Sequence, residues 1–89
     1  MSAFLGGSAY TMATGVAQGV HAVTERTFHA MSRGDIEVFA TELDRHLREV
    51  RAEQPPLDDT VAIQNRNRRI QRLNSALMML RAYKTKIRG

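Results

Sequence analysis

The chain has 89 residues, a formal net charge of +4 and no cysteine. This length accommodates one small domain, which we take as residues 1–89. The lack of cysteine excludes disulfides and thiolate metal sites, and no stretch approaches the roughly 20 apolar residues of a membrane span. The first residues lack the basic segment and leucine-rich core of a secretory signal, so we expect a cytoplasmic protein by default.

Charge is distributed unevenly along the chain. Residues 1–24 carry no Lys, Arg, Asp or Glu, whereas residues 25–54 hold seven acids and five bases, a balance of −2. Residues 55–89 hold two acids and eight bases, a balance of +6. Such asymmetry predicts either attraction to a polyanion or complementary packing between protein subunits.

The first predicted element is a helix over about residues 8–31, rich in Ala, Gly, Thr and Val. Gly15 and Gly19 lie one helical turn apart, and small residues at this spacing allow the backbone of another helix to approach closely. Two interior glycines cost about 1 kcal/mol each relative to alanine. The alternative is therefore that residues 1–15 form a flexible tail.

The second predicted helix covers about residues 34–53. Ser32 and Asp35 have the spacing of a capping box, in which each side chain bonds the backbone N–H of the other residue. One apolar stripe then follows at helical spacing: Ile36, Phe39, Ala40, Leu43, Leu47 and Val50.

The third predicted helix covers about residues 59–87. Pro55 and Pro56 end the preceding helix, and Asp58 and Asp59 supply a capping oxygen and a negative charge at the new N-terminus. Apolar residues then recur as in a coiled-coil seam, at Ile63, Ile70, Leu73, Leu77, Leu80 and Ile87.

Two basic residues, Arg66 and Lys84, fall inside this seam. A charge in a seam either extends to water at the end of the bundle or sets the register against an acid. The expected acids, in the same or a neighbouring chain, are Glu49, Glu53 and Asp44.

A short connection joins the last two helices, so the predicted fold class is all-α with an antiparallel helical hairpin over about 34–53 and 59–87. The N-terminal helix or tail would complete a three-helix or oligomeric bundle. About ten residues of the last helix, Met78 to Ile87, are expected to extend past the start of the second helix. The N-terminal segment or another subunit would cover them.

No pattern of catalytic or metal-binding residues is present. His21 and His29 are eight residues apart and have no third ligand at suitable spacing, and the carboxylates lie beside arginines on polar helix surface. The sequence also lacks a phosphate-binding loop. We therefore predict a protein that is not an enzyme, with no cofactor, no metal and no small-molecule substrate.

The predicted function is structural or adaptor-like, in a protein that self-associates or binds a protein partner through its helical seam. A sustained seam, an uncovered helix end and a small core motivate this prediction. The residues expected to contact a partner lie on the last helix: Ile63, Arg66, Ile70, Leu73, Leu77, Met78, Leu80, Tyr83 and Ile87.

The alternative is nucleic-acid binding, including a coat-like role, through the basic segment at residues 64–72 and the following turns. Helical phase places Arg68 and Arg72 on the outer side and Arg69 on a flank. Lys86 completes the predicted nucleic-acid contacts.

A further alternative comes from the layout of the chain. An uncharged small-residue N-terminus, a helix, a proline-bearing turn and a C-terminal helix resemble type III secretion needle subunits and their small helical chaperones. This resemblance in shape and length implies a secretion-apparatus subunit or chaperone, and it assigns no site residues.

Overall fold

The computed structural model describes residue 4, residues 7–86 and the backbone of residues 87 and 88. Four helices occur in this part of the chain: α1 (Ala9–Ala17), α2 (Glu25–His29), α3 (Arg33–Ala52) and α4 (Thr60–Arg88). The described residues contain no strand, and the all-α prediction is confirmed. At 1.5 Å per residue, the 29 residues of α4 account for most of the 47 Å long axis.

Helix α3 forms where its capping signals predict. The Ser32 Oγ accepts a hydrogen bond from the Asp35 N–H at 3.0 Å, and the Asp35 carboxylate accepts one from the Ser32 N–H at 3.1 Å. This reciprocal pair satisfies two N–H groups that have no partner within the helix. The predicted stripe faces the core, with Ala40 partly buried and the other positions buried: Ile36, Phe39, Leu43, Leu47 and Val50.

Helix α4 also begins close to the predicted residue. Asp59 caps it, because its Oδ1 accepts a hydrogen bond from the Ala62 N–H at 3.0 Å. Leu73, Leu77 and Leu80 of the seam are buried in the same core cluster as the stripe of α3.

The continuous N-terminal helix predicted over 8–31 is wrong. Helix α1 ends at Ala17, and residues 18–24 lead to the short α2. Gly19 has a φ of +78°, a left-handed conformation that glycine adopts without steric cost. The N–H of Gly19 bonds the Val16 carbonyl and the N–H of Val20 bonds the Gly15 carbonyl. These two bonds make a Schellman motif, which ends the helix.

The predicted role of the glycine pair is corrected in the same way. A Cβ on Gly15 would lie 2.1 Å from Cδ2 of His21, so Gly15 makes room for an imidazole from the following loop. Gly19 ends the helix and faces the Arg72 side chain of α4. Of the predicted tail over 1–15, residues 9–15 lie in α1, and residues 1–3, 5 and 6 are outside the described residues.

We expect Gly19→Ala to destabilise the protein and Gly34→Ala to stabilise it. A left-handed conformation costs an L-residue about 1–2 kcal/mol, and a Cβ at Gly19 would lie 2.9 Å from Cζ of Arg72. Gly34 lies in the first turn of α3, where a Cβ meets only the Ser32 Oγ at 3.7 Å. Alanine there lowers the entropy of the unfolded chain, worth about 0.4–1 kcal/mol. Urea denaturation of both variants measures these changes, and equal midpoints would contradict the assigned helix end.

Ion pairs at both ends of α3 show how it lies against α4. Glu53, just after α3, pairs with Arg69 near the start of α4, and Glu37 at the start of α3 pairs with Lys84 near the end of α4. The two helices therefore run in opposite directions.

The prediction that residues 78–87 extend past α3 is wrong, because Lys84 lies beside the first turns of α3. The first turns of α4 extend past the other end instead. The cause is the connection after α3. It begins at Glu53, which follows the last helical residue, Ala52, and has an extended backbone with ψ 132°. Extended residues advance about 3.3 Å each against 1.5 Å in a helix. Leu57 and Val61 are exposed at this end, by 96% and 67%.

Candidate partner-binding groove along α4

Three of the four arginines of the basic segment bond to different groups, and Arg66 caps a helix. Its Nε donates to the Glu53 carbonyl at 2.9 Å and its Nη2 donates to the Arg51 carbonyl at 2.8 Å. These carbonyls lie at the C-terminal end of α3, which carries partial negative charge and lacks intrahelical donors. We expected a carboxylate of Glu49, Glu53 or Asp44 to pair with Arg66. The backbone carbonyls do so instead.

Arg69 makes a two-pronged ion pair with the Glu53 carboxylate. The two N···O distances are 2.7 and 2.8 Å, the geometry in which a guanidinium and a carboxylate bind most strongly. The hydrogen bond from Arg69 lowers the pKa of Glu53 from its ordinary value of 4.5 and outweighs the opposing effect of burial. The same bond raises the pKa of Arg69.

The ion pair of Glu53 predicts a loss of stability in acid. Because its pKa is lowered in the folded chain, ionised Glu53 adds its full contribution to the free energy of unfolding above about pH 4.5. That contribution is lost as the pH falls through the lowered pKa. We expect Glu53→Gln to reduce stability at neutral pH and to weaken its decline below about pH 4.5. Urea midpoints at several pH values measure both effects. Glu49→Gln is the control, since Glu49 pairs with Arg45 within one helix; an identical pH profile for both variants would contradict the prediction.

Arg72 caps the C-terminal end of α1. Its Nη1 donates to the Ala17 carbonyl at 3.1 Å, and its guanidinium lies against Gly19. Ala17 is the last residue of α1, and the Schellman motif leaves its carbonyl free to accept this bond. Arg72 therefore joins α4 to the end of α1, although helical phase placed it on the outer side.

The other two predicted nucleic-acid contacts, Lys86 and Arg68, differ in whether they have a partner within the chain. Lys86 pairs with Glu25 of α2 at 2.6 Å, and its hydrogen bond lowers the pKa of Glu25. Arg68 is exposed, and no hydrogen bond or ion pair joins it to another described residue. It is therefore the one predicted nucleic-acid contact whose side chain has neither a hydrogen bond nor an ion pair in the described part of the chain.

Three hollows meet in a row along one side of α4. The first, near its N-terminal end, is basic and amide-rich: Gln18, Asn65, Arg68, Arg69 and Arg72 line it. Residues 65, 68, 69 and 72 recur at three- and four-residue spacing, which places them on one side of the helix. The arginines that the sequence analysis separated by helical phase therefore line one hollow.

The middle hollow lies between α4 and the loop after α1, and it is more apolar. Its volume is about 420 Å³, and apolar side chains contribute most of its wall, among them Val16, Val23, Ala76 and Met79. Met79 is 42% exposed. Ligand and partner sites are commonly concave surfaces lined mainly by apolar side chains.

The third hollow lies between α4 and α2. It is lined by Glu25, Met79, Ala82, Tyr83 and Lys86. Arg72 lines both the first and middle hollows, and Met79 lines both the middle and third. The three hollows thus form one surface, here called the α4 groove, which is cationic at one end and apolar in the middle.

The predicted partner-binding residues lie in three different surroundings. Leu73, Leu77 and Leu80 are buried within this chain, and Met78 is 68% exposed on the side of α4 away from the middle hollow. The Ile87 side chain is outside the described residues. The partly buried members are Ile63, Arg66, Ile70 and Tyr83.

Sequence reasoning missed the contribution of the N-terminal segment to the groove. Gln18, His21 and Val23 line it from the loop between α1 and α2, where we predicted continuous helix. The available signal was Gly19 followed by residues 20–24, since glycine after a helical stretch commonly ends it.

The three histidines lie in separate places. His21 packs on Gly15, and His29 lies beside Glu25 and Tyr83. His46 is buried between α3 and α1, with Nε2 3.1 Å from the Thr14 hydroxyl oxygen. That hydroxyl donates to the Tyr10 carbonyl, so Nε2 of His46 is assigned as the donor. Among the described residues, no three His, Asp or Glu side chains come together as metal ligands would.

Helix α4 is long enough to cross a bilayer, but its composition is not apolar enough. None of the other helices in the described residues combines the length and the apolar composition of a membrane span.

The structure thus defines a small all-helical protein with a groove along its longest helix. No protein-family model matches the chain, and no curated protein or solved structure was found to be similar to it.

Proposed function

We propose that the protein is a structural or adaptor protein, not an enzyme, that self-associates through the α4 groove. The observation that carries this proposal is the exposed apolar middle of the groove, centred on Met79 and continuous with a cationic end. Apolar surface at the centre with charge at the rim is the usual anatomy of a protein interface.

The partner surface in this proposal differs from the seam that the sequence predicted. Leu73, Leu77 and Leu80 pack in the core of their own chain, so a partner would reach them only if the helices separated. The groove needs no such opening. The proposal therefore retains self-association and moves the contact to the flank of α4.

Light scattering after gel filtration tests the proposal. We expect a mass above the 10.0 kDa of one chain, rising with concentration because association follows mass action. Met79→Glu places a charge in the middle hollow and should shift the protein towards the monomer. Met78→Glu is the matched control, because Met78 is more exposed and does not line that hollow. A monomeric wild-type protein with cooperative unfolding at every concentration would overturn the proposal.

Nucleic-acid binding is the second candidate, and the cationic end of the groove favours it. Guanidinium groups converging on one hollow suit phosphate oxygens. Arg69, Arg72 and Lys86 already make hydrogen bonds or ion pairs within the chain, so Arg68 is the one of these four candidates that has no partner among the described residues. Electrophoretic mobility of DNA and RNA at low salt tests this candidate, with Arg68→Glu as the comparison. Unchanged mobility with wild-type protein would eliminate it, since phosphate contacts are strongest at low salt.

The resemblance in layout to secretion needle subunits and their chaperones stays a prediction. A needle-like subunit would share the self-association proposed above, and the light-scattering experiment bears on both.

A further inference from the structure

We propose that the occupant of the α4 groove is the connection between α3 and α4 of a second copy, with Leu57 in the middle hollow and Asp58 at the cationic end. This inference rests on the proposed function, because it names the partner of the same groove. Four features of the structure lead to it. Leu57 is exposed, the connection is held in a fixed conformation, its side chains match the chemistry of the groove, and the connection and the groove are too far apart to meet within one chain.

Leu57 is 96% exposed, the most exposed large apolar side chain in the described part of the chain. An isolated exposed leucine is common on protein surfaces. This one lies at the end of the molecule, in the sequence Pro-Pro-Leu-Asp-Asp, where the first turns of α4 extend past α3. It contributes almost no buried area to its own fold, so burial against a partner is its available source of stabilisation.

The connection that carries Leu57 is held in place from both sides. Arg66 donates to the Glu53 carbonyl before it, and Asp59 caps α4 after it. The Asp59 N–H also bonds the Pro56 carbonyl at 3.0 Å, which closes a turn around Leu57. A segment ordered before binding loses less conformational entropy on docking, which favours its use as a ligand.

The chemistry of the connection matches that of the groove. Asp58 has no hydrogen-bond or ion-pair partner among the described residues, and Arg68 has none either. Leu57 and Asp58 are adjacent in sequence. In the groove, Arg72 lies one helical turn, about 6 Å, from Ala76, and Arg68 lies one further turn along the same side of α4. An apolar group and a neighbouring carboxylate can therefore contact the middle hollow and the cationic end together. Complementary charge at the rim of an apolar contact favours this pairing over incorrect ones.

One copy cannot fill its own groove. The connection ends where α4 begins at Thr60, and Ala76 lies 16 residues further on, about 24 Å along the helix axis. The two surfaces are different patches of the same chain, so the contact is heterologous. Each copy offers one connection and one groove, and repetition of the contact produces a ring or a filament.

Charge-reversal variants test the inference by light scattering on nuclease-treated protein. Asp58→Arg should remove the carboxylate that the groove binds, and Arg68→Asp should remove the guanidinium that binds it. We therefore expect each variant alone to be monomeric at concentrations where wild type associates. Both side chains are exposed, so circular dichroism of the variants should match wild type. At concentrations where wild type is monomeric, the unfolding midpoint should fall only slightly for Asp58→Arg, because a positive charge is unfavourable at the N-terminus of α4. The double variant Asp58→Arg with Arg68→Asp should associate again.

A mixture of the two single variants gives the sharpest result. Asp58 of the Arg68→Asp chain meets Arg68 of the Asp58→Arg chain, and the two reversed charges meet at the next contact, so the mixture should associate in alternation although neither variant associates alone. Wild-type association that survives both single variants, or a mixture that stays monomeric, would overturn the inference. If Met79→Glu dissociates the protein while these variants do not, the groove is the contact and its occupant is different. If wild type is monomeric, the proposed function fails with it.

Discussion

Replacing Phe28 by alanine is expected to lower the free energy of unfolding by about 3–5 kcal/mol, the usual loss for a buried phenylalanine. Phe28 is fully buried, and its ring centroid lies 5.5 Å from that of Tyr83 on α4. Helix α2 has five residues, too few to be stable in isolation. Phe28 is the buried residue of α2, so its loss should detach the helix as well as leave a cavity.

Urea denaturation followed by circular dichroism measures this effect. Domains of this size have a free energy of unfolding of about 5–15 kcal/mol, so the Phe28→Ala chain should unfold at a much lower urea concentration or be partly unfolded without urea. Val20→Ala is the control, because Val20 is 70% exposed in the loop just before α2, and exposed substitutions usually change stability by under about 0.5 kcal/mol. A loss of under about 1 kcal/mol for Phe28→Ala would mean that α2 does not anchor the N-terminal segment.

Replacing Arg66 by methionine is expected to cost about 1.5–3 kcal/mol, the range for hydrogen bonds that involve a charged group. Methionine retains much of the apolar stem, so the change isolates the two bonds to the Arg51 and Glu53 carbonyls. Without these bonds the last turn of α3 loses its capping donors. Amide hydrogen exchange in residues 50–52 should become faster, while the first turn of α3 should be unaffected.

Arg68→Met is the matched control for this prediction. Arg68 lies two residues away on the same helix, is exposed, and has no partner in the described part of the chain. At concentrations where the protein is monomeric, its substitution should change stability by under about 0.5 kcal/mol. If the two variants have the same urea midpoint and the same exchange rates, Arg66 is solvated in solution and does not cap α3.

Local signals were sufficient to predict the two long helices. The capping pair at Ser32 and Asp35, the prolines after α3 and the capping Asp59 act within a few residues of the chain, and each has the predicted effect. The apolar positions of α3 and α4 were predictable for the same reason, since one side of a helix recurs every 3.6 residues. Gly19 was the missed local signal, because the same residue is compatible with a helix interior and with a helix end.

The candidate site was only partly predictable, because its parts are distant in sequence. The sequence by itself determined the helical class, the bounds of α3 and α4 within a residue or two, and the abundance of arginine at residues 66–72. Only the tertiary structure decided the partner of each arginine. Arg72 and Ala17 are 55 residues apart, and Arg69 and Glu53 are 16 apart. Periodicity determines which side of a helix a residue occupies, whereas its contacts depend on the elements that pack against that side.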